Sequence, residues 1–244
     1  MRKGRENGSP GPRCIPAGRS AFSKLPMRYP CLVFDHDDTV VNSTATIHHP
    51  CFEEYLRQYF PSRSCTLEEY FLKNFDPGFI PMCREEYGMS WEQLLEEGEF
   101  WRAYVEHHIP KAYDGIRQIM ERQKAAGGLL CVVSHSYEDN IRRDYRANAL
   151  PEPDLVFGWE QSPERRKPDP WPLEEIMRRF SLEPAQLLMI DDLKPGYDMA
   201  AACGVAFAGA GWANDIPQIE RFMRANCKNY FKTVRELADY LEED

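Results

Sequence analysis

Four apolar runs of β-strand character recur along the chain, "YPCLVF", "GLLCVV", "LVFGW" and "QLLMI", with a fifth at "GVAFAG", and helical patterns follow them. Strands that alternate with helices assemble as a parallel sheet covered on both faces, because a parallel pair needs a crossover long enough to hold a helix. The expected fold is therefore α/β, a doubly wound parallel sheet. Ligands of such sheets bind beyond the carboxyl ends of the strands. Three polar clusters fall there: Asp35 to Thr39 after the first run, Ser134 to Ser136 after the second, and Asp191 with Asp192 after the fourth.

Between Thr44 and Pro110 the pattern changes. "PCFEEYLRQYF", "TLEEYFLKNF" and "SWEQLLEEGEFWRAYVEHH" carry apolar residues at helical spacing, with no strand-like run between them. This predicts a small helical bundle inserted between the first and second core strands, with Ser90 as N-cap of its last long helix. The chain then returns to the core through "YDGIRQIMERQKAAGG", an amphipathic helix stopped by Gly127 and Gly128. The expected organisation is a disordered basic tail over 1–28, a discontinuous core over 29–44 and 111–244, and a helical insertion over 45–110.

Charge is unevenly divided. Residues 1–28 hold seven Lys/Arg against the single acid Glu6, so the remaining residues carry −15 of the chain's −9 total, offset by +6 in the tail. An acidic body repels polyanions, which argues against nucleic acid as a partner. No apolar run approaches the ~20 residues of a membrane span. The tail is rich in Gly, Pro and Ser and lacks the apolar core of a secretory signal; its arginines allow a transit-peptide reading, and Met27, just before the first strand, an alternative start. Eight cysteines are scattered singly without CxxC pairs, which favours reduced thiols and a cytoplasmic setting over disulfides or zinc.

"CLVFDHDDTV" raises the chemical question, because it crowds Asp35, Asp37 and Asp38 where a buried strand ends. Like charges in low dielectric cost energy unless something offsets them. Asp35 and Asp37 in DxDxT, Ser134 closing an apolar strand, Lys167 in "RRKPDP", and the pair Asp191 and Asp192 opening "DDLKPGYDMAAACGV" together resemble the four ordered motifs of the haloacid dehalogenase superfamily. The resemblance covers residues 30–244. It implies that the helical insertion is that family's cap, of the phosphoglycolate phosphatase-like or β-phosphoglucomutase-like kind.

The resemblance implies a Mg²⁺-dependent phosphatase acting on a small phosphorylated metabolite. Asp35 is the expected nucleophile, forming an aspartyl-phosphate that splits one very slow hydrolysis into two steps. Two like unit charges ~4 Å apart repel by about 4 kcal/mol at an effective dielectric near 20, so a cation must sit between Asp35 and the phosphate. Hard oxygen ligands without a nearby Cys or His cluster point to Mg²⁺ on Asp35, Asp191 and Asp192, joined, by resemblance, by the Asp37 backbone carbonyl. Asp37 is the expected general acid and base; to be half protonated at neutral pH it needs an upward shift of ~3 units, about 4 kcal/mol, which burial under the cap would supply. Ser134 and Lys167 are expected to bind the phosphoryl group, with His135 as an auxiliary contact.

Other residues carry two readings each. His36 contacts substrate or packs against the cap hinge; Ser136 is a phosphate contact or a bystander. His48, His49, His107 and His108 are read as surface or hinge residues. The insertion's aromatics, Phe71, Phe75, Phe79, Tyr87, Trp91, Phe100 and Trp101, are read as bundle core rather than pocket lining. Five Lys/Arg against twelve Asp/Glu in residues 45–110 disfavour a large polyanionic substrate. A phosphomutase, which shares every motif, is the enzymatic alternative; a phospho-signalling or binding protein without turnover is the alternative from another class. Oligomeric state has no signature in the sequence.

Overall fold

A computed structural model describes residues 27–242, so the expectations for the tail before Met27 lie outside the described residues. Eight strands are present among the described residues: β1 (Cys31–Phe34), β2 (Val41–Asn42), β3 (Lys111–Ala112), β4 (Leu129–Val133), β5 (Leu155–Phe157), β6 (Leu187–Asp191), β7 (Ala206–Ala210) and β8 (Asn229–Phe231). Six form one parallel sheet in the order β5-β4-β1-β6-β7-β8. The doubly wound α/β fold is as expected, with β8 added at one edge.

The sheet is buried on both faces, and β1 shows why its sequence is uniformly apolar. Leu32 and Phe34 enter one core with Leu130, Val132, Leu188 and Ile190, while Cys31 and Val33 enter the other with Cys131, Val133, Leu187 and Met189. Alternate side chains of a strand point to opposite faces, so a strand covered on both sides has no polar position to spare. β8 escaped the sequence reading because it is three residues long and only half-buried.

The helical cap occupies the insertion. Its two ends are clasped by the antiparallel pair β2 and β3, Val41 opposite Ala112 and Asn42 opposite Lys111. From there a helical turn, Thr44–His48, runs into helix His49–Tyr59, followed by Leu67–Phe75 and Trp91–Glu106. Ser90 caps the last of these: its hydroxyl accepts from Gln93 N–H at 3.2 Å while Gln93 Oε1 accepts from Ser90 N–H at 2.9 Å. Phe52, Tyr55, Leu56, Tyr70, Met82 and Met89 form the cap's own core, joined by Phe79, Tyr87 and Phe100. Phe71 and Phe75 turn the other way and pack into the sheet's second core, tying the cap to the body.

Among the described residues no helix is long and apolar enough to cross a membrane, and seven cysteines are free thiols.

Candidate active site

β1 and β6 are neighbours in the middle of the sheet, Phe34 opposite Ile190, and the ladder continues one residue further where Asp35 N–H donates to Ile190 O at 2.9 Å. That register sets Asp35 beside Asp191, the last residue of β6, and Asp192 after it. One oxygen from each carboxylate lies within 4.8 Å of the others, and all three residues are buried. Lys167 reaches in from the loop after β5, its Nζ donating to Asp35 Oδ1 and Asp191 Oδ2, both at 2.7 Å. Gly196 has a steric role: a Cβ there would stand 2.1 Å from Asp191 Oδ2, so the acid-acid-x-x-x-Gly spacing keeps room for the carboxylate.

Three buried carboxylates thus face one ammonium, an excess of two negative charges. Burial pushes Asp35 up to about 7; Lys167 opposes the rise, and Asp191 and Asp37 add to it. Asp192 is pushed well above its ordinary range, by burial first and then by Asp38, Asp191 and Asp35. Carboxylates shifted this way lack positive charge. A hard-oxygen donor set with that excess fits Mg²⁺, and Asp35, Asp191 and Asp192 are the side chains that would hold it. Thr39 steadies the set, its hydroxyl donating to Asp192 Oδ1 at 3.2 Å, while its own carbonyl accepts from Trp212 Nε1 at 3.2 Å.

Asp37 sits in different surroundings. Its Oδ1 is 2.8 Å from His48 Nε2, and its Oδ2 accepts from the Ser136 hydroxyl at 2.5 Å. Trp101 Nε1 donates to His48 Nδ1 at 3.0 Å. An indole N–H only donates, so Nδ1 must offer its lone pair and the proton of a neutral ring lies on Nε2, directed at Asp37. Burial opposes a charge on His48, but Asp37, by its charge and its hydrogen bond, outweighs burial and raises the ring above its ordinary value. Burial alone would raise Asp37; His48 and Ser136 outweigh it and hold the carboxyl well below its ordinary range. The upward shift expected of a buried general acid is therefore not what these surroundings produce, because the charge of His48 and then the hydrogen bonds from His48 and Ser136 outweigh desolvation.

Asp38 has a left-handed backbone, φ 59°, and its Oδ1 accepts from Ser43 N–H at 3.3 Å and Thr44 N–H at 3.1 Å. Aspartate tolerates this conformation, and here the side chain also caps the turn that leads into the cap.

Ser134 is buried at the end of β4, its Oγ accepting from Ser136 N–H at 3.1 Å. His135 Nε2 engages the Lys167 carbonyl at 3.0 Å, so an auxiliary phosphate contact would fall to Nδ1. His36 turns away from the cluster: Nε2 meets Asp144 Oδ2 at 3.1 Å and the ring stacks on Tyr145, so it packs on the core helix Glu138–Ala147 rather than on the hinge.

Sequence reasoning missed His48 and Trp101. His48, read as a surface or hinge residue, has its ring directed at Asp37 rather than outward. Trp101 faces His48 at a ring distance of 5.7 Å and leaves the bundle core, and Trp91 is exposed. The usable signal was position: His48 lies eleven residues after Asp37, where the chain first turns back over the strand ends.

Comparison with known proteins bears on this site. The family model described as haloacid dehalogenase-like hydrolase matches residues 32–210, which includes every residue just discussed except Trp212. The chain belongs to the haloacid dehalogenase-like hydrolase family. A phosphoglycolate phosphatase of Mesorhizobium japonicum is 22% identical over 225 residues, 88% of this chain and 97% of that protein. Among solved structures, one described as a putative phosphoglycolate phosphatase from Lactobacillus plantarum superposes with a TM-score of 0.72 at 20% identity, covering 87% of this chain and 99% of its own. CbbY from Rhodobacter sphaeroides, crystallised with xylulose-(1,5)-bisphosphate, does so with a TM-score of 0.69 at 18% identity, covering 88% and 100%. At these identities the solved structures establish a shared fold.

Proposed function

We propose that this enzyme is a Mg²⁺-dependent phosphoric monoester hydrolase that acts on a small phosphorylated metabolite through an aspartyl-phosphate on Asp35. The observation that carries the reading is the position of Asp35 at the end of β1, 2.7 Å from the Lys167 ammonium and grouped with Asp191 and Asp192. The curated relative named above bears a phosphatase name, which favours hydrolysis over the phosphomutase alternative. A phosphoglycolate-like or sugar-phosphate ester is the substrate class proposed, and the cytoplasm is the compartment.

Asp35 attacks phosphorus, the bond to the leaving oxygen breaks, and that oxygen takes a proton from Asp37. In the second half Asp37 accepts a proton from water as the water oxygen attacks phosphorus; the bond to Asp35 breaks and phosphate departs. Lys167 and Ser134 hold the phosphoryl oxygens, the lysine as a fixed charge already oriented by two carboxylates. Mg²⁺ held by Asp35, Asp191, Asp192 and the Asp37 carbonyl would offset the charge that otherwise keeps a phosphate dianion away from a carboxylate nucleophile. The contacts on Asp37 suit an ionised carboxylate, so hydrolysis of the intermediate is the half-reaction for which the site as described is prepared.

Phosphate release from p-nitrophenyl phosphate, with and without Mg²⁺ and with Asp35→Asn as blank, tests the reading. Turnover that needs both Mg²⁺ and Asp35 supports it. Release equal to the blank, together with no hydroxylamine-sensitive phosphoprotein, removes it.

A further inference from the structure

Arg166 directly precedes Lys167, yet its guanidinium takes no part in the cluster around Asp35. It is half-buried and lies 3.9 Å over the ring of Trp159, two residues past β5. Trp159 N–H donates to the Ser136 carbonyl at 2.9 Å, and Ser136 is the residue whose hydroxyl meets Asp37. The Trp159 ring also stands edge-on to His135, with ring centroids 5.7 Å apart. The order outward from the phosphoryl-binding residues is therefore His135, Trp159, Arg166. We propose that Arg166 is a specificity-determining residue for the hydrolysis described above: it binds a second anionic group, a carboxylate or a phosphate, at the far end of the substrate's leaving group.

A second guanidinium shows what is unusual about this one. Arg102 of the cap lies 4.2 Å over the ring of Tyr137, the residue after Ser136, and spends both terminal nitrogens on Asp139, at 3.1 and 2.9 Å. Arg166 caps the other aromatic ring beside Ser136 without such a partner. Its Nε donates to the Gln161 carbonyl, and among the described residues its terminal nitrogens have no hydrogen-bond acceptor and form no ion pair. Glu160 and Glu164 act on its charge, but each carboxylate is engaged elsewhere. Glu160 accepts from Glu138 N–H at 2.9 Å, and Glu164 accepts from the Ser162 hydroxyl at 2.7 Å. The stack and the Nε bond fix the plane of the guanidinium and leave open the two-nitrogen edge that matches a carboxylate or phosphate. The cap offers a second anion no net attraction, with twelve acids against five bases in residues 45–110. Because the indole stands between the guanidinium and His135, that anion must lie several bonds from phosphorus.

This inference rests on the phosphatase reading, and its test uses pairs of esters that differ at the far end. 3-Phosphoglycerate against glycerol 3-phosphate exchanges a carboxylate for a hydroxymethyl group; fructose 1,6-bisphosphate against fructose 6-phosphate adds a phosphate. A hydrogen bond to a charged group is worth roughly ten- to a hundredfold, so the wild type is expected to favour the anionic member of at least one pair by that factor in kcat/KM. A preference in the first pair identifies a carboxylate as the group bound, and one in the second a phosphate.

Arg166→Met keeps bulk on the Trp159 ring and removes the charge, so the ratio of the two kcat/KM values should fall about tenfold or more. Arg166→Lys, which restores charge without the fork, should recover part of that ratio. A wild-type ratio near one in both pairs overturns the proposal. So does a ratio that Arg166→Met leaves unaltered while every rate falls, because Arg166 would then serve only to hold the loop of Lys167. Failure of the wild type on every ester would count against the phosphatase reading instead, and calorimetric titration with the same pairs then reads the anion site without turnover. Tighter binding of an anionic member, lost in Arg166→Met, supports the site, and equal binding of both members overturns it.

Discussion

Asp35 and Asp37 are two residues apart on one turn and both are buried, yet their surroundings drive them in opposite directions. Asp35, grouped with Asp191 and Asp192 around one lysine, is pushed up to about 7. Asp37, with His48 and Ser136 donating to it, is held well below the ordinary carboxylate range. Burial is the largest upward influence on each, so it is not what separates them. The difference is the balance of neighbours: Asp35 has too little positive charge, and Asp37 has both its oxygens satisfied. Asp35's neighbours all belong to the core, whereas Asp37 depends on a histidine and a tryptophan of the inserted cap.

The contrast can be broken most forcefully at Lys167. Removing one partner of a buried charged set costs about 3–5 kcal/mol, so Lys167→Met is expected to destabilise the fold by that order, read from urea unfolding. An unchanged midpoint would mean that the carboxylates do not depend on the lysine for compensation.

A second effect reads the loop that carries this lysine. Burial, followed by the Lys167 charge, lowers His135 from 6.5 to about 4. A base whose folded value is depressed contributes stability that is complete above the unfolded value and lost as pH falls. Between pH 6.5 and 4 the unfolded chain binds a proton that the native state refuses, so stability should decline by up to about 3 kcal/mol, at 1.36 kcal/mol per unit. His135→Asn should flatten that part of the profile; an identical slope in wild type and variant would remove His135 as its source.

The charge deficit around Asp35 predicts that Mg²⁺ stabilises the native state even without substrate. At a concentration about a hundred times its dissociation constant a ligand contributes about 2.7 kcal/mol, which for a chain of this size is several degrees in melting temperature. Asp192→Asn should abolish most of the increment. A shift that persists in this variant would place the ion elsewhere.

The smallest expected effect sharpens the Asp37 side. Arg102 and Asp139 are both partly exposed, so their pair contributes at most about 1 kcal/mol to stability. Arg102→Ala should barely move the unfolding midpoint while loosening the helix that carries Trp101, so hydrogen exchange across Trp91–Glu106 should rise. Unaltered exchange would mean that the helix is anchored by other contacts.

Much of this could be read along the chain because the relevant signals are local. Apolar runs followed by helices specify strands buried on both faces, and Asp35, Ser134, Lys167, Asp191 and Asp192 were singled out as residues beyond strand ends or in the order of a family. Cap helices were legible from periodicity and the Ser90 cap from its Gln93 partner. The sixth sheet strand, Asn229–Phe231, was not, because three half-buried residues carry no period.

The sequence by itself determined the α/β class and the helical insertion through hydrophobic pattern, and pointed to the residues that gather around Asp35 through polar clusters after strands and, for Lys167, through resemblance to a family. Only the tertiary structure decided which way each carboxylate is driven and what sets Asp37. Trp101 reads as one more aromatic of a helical bundle, and His48 as one more hinge residue. Their partnership depends on folding residues 48 and 101 against a turn at residue 136, and hydrogen bonds between such distant positions leave no pattern in the local sequence.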